Sequence, residues 1–176
     1  MFRILIATTD NEPGVLDRVA STFRRRGFNI HSLTVSPTLD PAISRMTLVT
    51  DLNANSKRSA KAFLERLLNV HSVVDLTEVA SLVRDVALVR VASTTENRPA
   101  LFQLAQIFTA EILDVSTDSV VMSVCAGPER VDALLEALRP FGLLELCRSG
   151  AVAMQRAQTV SALPVATDEV EDAVSF

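Results

Sequence analysis

Apolar residues in this chain repeat with a period of two, then 3.6, then two, two, 3.6 and two, and the whole order is written twice. In the first pass, alternation predicts strands over residues 4–8, 29–35, 44–50 and 73–79. Helical spacing predicts a helix over 14–26 with Val15, Leu16, Val19, Ala20 and Phe23 on one face. A second helix over 59–68 carries Ala60, Phe63, Leu64, Leu67 and Leu68. The first helix closes on Arg24, Arg25 and Arg26 followed by Gly27, with cations at the negative end of the dipole and glycine just past it. Residues 37–41, bounded by prolines, form a turn that pairs the second and third strands as a hairpin. The second pass predicts strands over 86–91, 112–116, 120–125 and 143–147, helices over 98–109 and 131–138, and a further short strand over 152–154.

Strands and helices in this order make an α+β chain of two tandem ferredoxin-like βαββαβ domains, each an antiparallel sheet with its helices on one face. The first domain is read over 1–80 and the second over 84–156, joined near 81–84. Residues 157–176 are small, polar and acidic around Pro164 and are read as a disordered tail. Both faces of the predicted strands carry apolar residues: Ile4 and Ile6 against Leu5 and Ala7, and Leu33 and Val35 against Ile30. A sheet face without helices must then be covered, and the expected cover is a second copy docked side by side.

Charge narrows the partners. The net charge is −4, yet four of the acids (Asp168, Glu169, Glu171, Asp172) follow the last base, Arg156, which leaves 17 acids against 17 bases before them. A near-neutral body exerts no long-range pull on a polyanion, so nucleic acid is not expected. The RNA-binding use of this fold stacks bases on sheet aromatics, and the chain has neither Trp nor Tyr. No apolar run is long enough to span a membrane and no signal-peptide pattern opens the sequence, so a cytoplasmic location is expected. Cys125 and Cys147 lie in apolar segments and are expected to be buried free thiols.

Little here suggests chemistry. His31 and His71 stand in separate segments, read as a polar strand residue and a loop or helix-end residue, and no cluster has metal-ligand spacing. No phosphate loop or nucleophile elbow is present. An acyl phosphatase on this fold needs an Arg in the first turn, and residues 11–16 hold none. That turn is the exception to the silence. Asn11-Glu12-Pro13-Gly14-Val15-Leu16 joins a strand to a helix N-terminus, where unpaired N–H groups and the positive dipole end favour a small carboxylate. Taken singly, Gly14 also fits a plain tight turn, Asn11 a helix-entry residue and Asn29 a strand start.

The first domain resembles an ACT domain, an amino-acid-sensing module, through residues 11–19 (Asn-Glu-Pro-Gly-Val-Leu-Asp-Arg-Val). More specifically, the chain resembles the small regulatory subunits of acetolactate synthase. The carriers are Phe23, then Arg26-Gly27-Phe28-Asn29-Ile30, Ser32-Leu33-Thr34-Val35 and Ser44-Arg45-Met46-Thr47. In the second half they are residues 84–91, Ile107-Phe108 with Ala110, Ile112 and Asp114-Val115, Pro140-Phe141-Gly142 with Glu145, and Arg148-Ser149-Gly150.

The resemblance implies a chain that catalyses nothing alone. It implies binding to a large catalytic subunit that carries thiamine diphosphate, Mg2+ and FAD, with no cofactor held here. Through that partner the chain raises activity and confers feedback inhibition by valine or a related branched-chain amino acid. The resemblance also implies a homodimer through the ACT domains, with effector sites at their interface. Carried over, Gly14 and the N–H groups of Val15 and Leu16 meet the effector carboxylate, Asn11 and Asn29 bind its polar groups, Ile30 and Val35 line an apolar pocket, and Ser36 tunes its size. A stand-alone ACT-type amino-acid-binding regulator is the alternative reading.

Overall fold

The computed structural model describes residues 2–51 and 57–157. The first unit runs β1 (Phe2–Asp10), α1 (Val15–Arg25), β2 (Asn29–Pro37), β3 (Ile43–Asp51), α2 (Lys57–Leu64) and β4 (Val70–Asp75). Its sheet has the antiparallel order β2-β3-β1-β4. Odd residues of β1, such as Leu5 and Ala7, turn toward the helices and pack with Met46 and Leu48 of β3, Val15, Val19 and Phe23 of α1, and Leu64 of α2. The predicted stop of α1 is a two-bond glycine cap: Gly27, at φ 68, donates to Arg24 O at 3.1 Å and Phe28 donates to Phe23 O at 3.0 Å. The Phe23 and Phe28 rings meet edge-on at 5.9 Å and close the apolar contact across that cap.

The second unit runs β5 (Ser81–Ala92), α3 (Arg98–Phe108), β6 (Glu111–Val115), β7 (Ser119–Ala126), α4 (Pro128–Leu138), a 3-10 turn (Arg139–Phe141), β8 (Leu143–Arg148) and β9 (Val152–Gln155). Its sheet order, β6-β7-β5-β8, repeats that of the first unit. Ala87, Val89 and Val91 of β5 meet Leu101, Leu134 and Leu138 in a separate core.

Several elements depart from the sequence reading. Residues 81–84, taken as the joint, are the first part of β5 and pair with β9, from Ser81 opposite Gln155 to Arg84 opposite Val152. α2 ends at Leu64 rather than 68, leaving Leu68 exposed. β4 begins at Val70 and stops at Asp75, where Asp75 Oδ1 accepts from Thr77 N at 2.9 Å and turns the chain. His71 therefore lies in a strand, not in a loop or helix end. A bulge between Ile30 and Ser32 moves Ile30 to the same face as Leu33 and Val35, opposite Thr50, Leu48 and Met46. Both cysteines are free and exposed, not buried. They stand opposite Val86 and Leu88 on the strands flanking β5. Two strand spacings separate them, about 10 Å, too far for a disulfide. The tail reading falls, beyond Ala157, outside the described residues.

The helix-free face of the first sheet has part of its cover within the same chain. Ile6 is buried with Leu76 and Ala153, and Ile4, Val79 and Val83 pack around them, so the β5–β9 ribbon lies across that face. Arg45 reaches Ala153 O at 3.1 Å from the same side. Part of the cover expected from a second copy is thus supplied by the chain itself, while Phe2 and Val74 on the same face stay exposed. The corresponding face of the second sheet keeps Val86 and Leu88 exposed.

Candidate functional site

The β1–α1 turn is shaped by one glycine and one asparagine. Gly14 sits at φ 85, in the left-handed region, with open space where a Cβ would be. Asn11 Nδ2 donates to Pro41 O at 2.8 Å, and its Oδ1 accepts from Ser44 Oγ at 3.0 Å. The side chain is thus engaged in tying the turn to the β2–β3 hairpin. No side chain caps α1. The Val15 N–H reaches only Glu12 O, at 3.4 Å, and the Leu16 and Asp17 N–H groups make no hydrogen bond among the described residues. Two donors at the positive end of an 11-residue helix therefore face solvent, a geometry suited to a carboxylate. The Asp17 N–H was not singled out from the sequence. Its signal is positional only, the third residue of an uncapped helix.

Behind the turn lies a polar brace that sequence reasoning missed. Asp10 Oδ2 accepts from Asn69 Nδ2 at 2.8 Å, and Asp10 Oδ1 pairs with His71 Nε2 at 2.7 Å. Arg18 donates in turn to Asn69 Oδ1. The Asn69 hydrogen bond, then the His71 one, hold the Asp10 carboxyl below its ordinary value of 3.8. These partners are some sixty residues apart in sequence, and no local pattern announces them.

The remaining site residues divide by position along β2, an edge strand. Val35 and Ser36 pair with Met46 and Arg45, level with Ala7 and Thr8, at the Gly14 end of the sheet. Val35 and Leu16 are exposed there, 39% and 45% respectively, an apolar margin beside the open donors. Asn29 and Ile30 pair with Asp51 and Thr50 at the opposite end, level with Phe2 and Arg3. Seven residues of strand place Asn29 about 20 Å from Ser36. One chain therefore places Asn11, Gly14, Val15, Leu16 and Val35 at one end of the sheet, with Ser36 at that end but on the opposite face beside Arg45, and leaves Asn29 and Ile30 remote.

A cavity of about 660 Å³ lies elsewhere, between the units. Phe2, Ile4 and His31 form one wall and Val83, Asp85 and Arg148 another, and none of the eight site residues lines it. Among the described residues no group of three or more His, Cys, Asp or Glu can hold a metal, and no helix is long and apolar enough to cross a membrane.

Comparison with known proteins agrees with both halves. A family model described as "AHAS small subunit-like ACT domain" matches residues 5–74, and one described as "Small subunit of acetolactate synthase" matches 84–157. A "Probable acetolactate synthase small subunit" of Archaeoglobus fulgidus is 40% identical over 89% of this chain and 98% of its own length. The "Acetolactate synthase small subunit" of Mycolicibacterium smegmatis is 37% identical over 86% of this chain and 89% of its own. The crystal structure of the small subunit from Thermotoga maritima superposes with a TM-score of 0.82 at 30% identity, covering 90% of this chain and 99% of that one.

Proposed function

From the premise that the chain belongs to the acetolactate synthase small-subunit family, we propose that it is an amino-acid sensor that activates its catalytic partner and inhibits it when valine or a related branched-chain amino acid binds. The observation that carries this reading is the uncapped N-terminus of α1 beside Gly14, at the end of an unpaired edge strand. The open Leu16 and Asp17 donors take the effector carboxylate. Leu16 and Val35 supply apolar contact for a short aliphatic side chain. Asn11 acts by holding the turn, since its polar atoms are already engaged.

The remote position of Asn29 gives the assembly its logic. Antiparallel pairing of two β2 edges about a two-fold axis runs Asn29 of one copy toward Ser36 of the other. Each site then draws its turn from one chain and its Asn29 amide from the next, so effector binding and dimerisation are linked. Thiamine diphosphate, Mg2+ and FAD belong in this reading to the catalytic partner, which performs the transfer. A match of the second unit to the small-subunit family favours this reading over a stand-alone ACT regulator.

Calorimetric titration of L-valine, with D-valine and L-lysine as controls, tests the proposal on the full chain. Stereospecific binding is expected between about millimolar and micromolar Kd, or −4 to −8 kcal/mol. Gly14→Asp and Asn29→Ala chains are each expected to lose it. Mixed and allowed to exchange, the two variants recover one intact site per heterodimer. Failure to recover binding in the mixture would show that the site lies within one chain.

A further inference from the structure

The turn between β8 and β9 reaches across to the strand on which the effector acts. Its root is secured in the second unit. Asp85, 4% exposed, accepts from Arg148 Nε at 2.8 Å and from Ser149 Oγ at 3.3 Å, while Arg148 Nη1 also donates to Asp132 at 2.7 Å. The Ser149 N–H donates to Val86 O at 2.9 Å, and Val86 N–H donates back to Ser149 Oγ at 3.1 Å. Its tip rests on β2. Ala151 N–H donates to Ser32 Oγ at 3.1 Å, and Thr34 Oγ1 donates to Ser149 O at 3.4 Å. Between them Gly150, at φ 81, lies so close that a Cβ would stand 2.5 Å from Ser32 Oγ. Glycine takes this φ without strain, and any Cβ placed there must push Ser32 Oγ aside. The tip and Ser32 line the inter-unit cavity of about 660 Å³. Among the described residues, these two hydrogen bonds are the ones that join β2 to the second unit.

Ser32 and Thr34 face the second unit, while Val35 and the bulge-shifted Ile30 face the helix side of the same strand. A shift of β2 on effector binding must therefore displace or strain the turn. We propose that the Ser149–Gly150–Ala151 turn is the link through which effector occupancy at β2 is communicated to the second unit, with Ser32, Thr34 and Gly150 as its positioning residues. This inference rests on the effector reading above. It adds the physical route by which two distinct sites share a coupling free energy.

The test separates binding from response. Full-length chains carrying Ser32→Ala with Thr34→Ala, or Gly150→Ala, which pushes Ser32 Oγ off its partner, are reconstituted with the acetolactate-forming catalytic subunit. L-valine binding to each chain alone is expected to stay within twofold of the parent. Half-maximal inhibition by L-valine is expected to need at least fivefold more effector. A Ser32→Cys/Gly150→Cys pair, in a Cys125→Ser/Cys147→Ser background, reinforces the same link. Its Cβ positions lie 3.6 Å apart, within disulfide range. Oxidised, that chain is expected to be inhibited as fully as the parent. The link is overturned if the weakened variants respond like the parent, if they lose binding in step with inhibition, or if oxidation of the pair abolishes inhibition that reduction restores. A parent chain that does not bind L-valine is a different result, and it removes the effector reading together with this one.

Discussion

Two turns occupy the same place in the two units and finish differently. Each follows the first strand of a βαββαβ unit and enters its first helix. In the second unit the turn satisfies itself: Thr94 N–H donates to Asn97 Oδ1 at 2.7 Å and Asn97 N–H to Thr94 Oγ1 at 3.2 Å. Arg98 N–H reaches Thr94 O, Pro99 has no N–H to satisfy, and the Ala100 and Leu101 N–H groups reach Asn97 O. The Arg98 guanidinium closes the rest, on Ser93 Oγ and the Ser116 and Thr117 carbonyls. In the first unit Gly14 leaves donors open, and Asp10 and Arg18 are engaged behind the turn, in the Asp10–His71 and Arg18–Asn69 pairs. Topology is shared, so it cannot be what makes a binding site. The difference is whether the N–H groups of the first helical turn find backbone partners within the chain.

Gly14→Asp attacks that difference most directly. Its carboxylate sits before the open donors as a built-in cap, and L-valine binding is expected to weaken at least a hundredfold in calorimetry, about 2.7 kcal/mol. Open space around Gly14 leaves room for the Asp side chain, but the positive φ strains it, so the melting temperature should fall by a few degrees while the fold is kept. A smaller effect is expected at the matching turn. Asn97→Ala removes the Oδ1 acceptor of the Thr94 N–H and should cost the second unit about 1 kcal/mol in denaturant titration, with L-valine binding unchanged. Any loss of L-valine binding in Asn97→Ala would break the division of labour drawn here. Smallest of all is the response to acid. Asp10 is held below its ordinary value of 3.8 in the fold. Its brace is therefore fully present above that value and is lost as pH falls through the lower, folded one. Amide exchange at Gly14 should rise below about pH 3.8 before exchange in the Thr94–Asn97 turn does, because the hydrogen bonds there use no carboxylate.

Much of this was legible in residue order. The alternation through Leu5 and Ala7, the helical face of Val15, Val19 and Phe23, and the Arg-Arg-Arg-Gly ending of α1 are local signals, and they act within a turn or two of chain. The Gly14 turn was legible for the same reason, since a positive φ and a helix start are both short-range demands. The bulge at His31, the Asp75–Thr77 stop of β4 and the Asp10–Asn69–His71 brace were not, because their partners arrive from distant strands. Nor was the cover on Ile4 and Ile6, which depends on β9, starting at Val152, folding back across a sheet whose last strand ended at Asp75.

The amino-acid order by itself determined two βαββαβ units, an open glycine turn before the first helix and the family to which the chain belongs. Tertiary structure alone decided how the units meet: β5 running past its own sheet to pair with β9, Ala153 buried on Ile6, and Gly150 pressed against Ser32. It also decided that Asn29 and Gly14 stand at opposite ends of one sheet. The physical reason is range. Periodicity and caps are written by neighbours three or four residues apart, whereas register, burial and the pairing of a buried charge such as Asp85 with Arg148 depend on which distant surfaces fit.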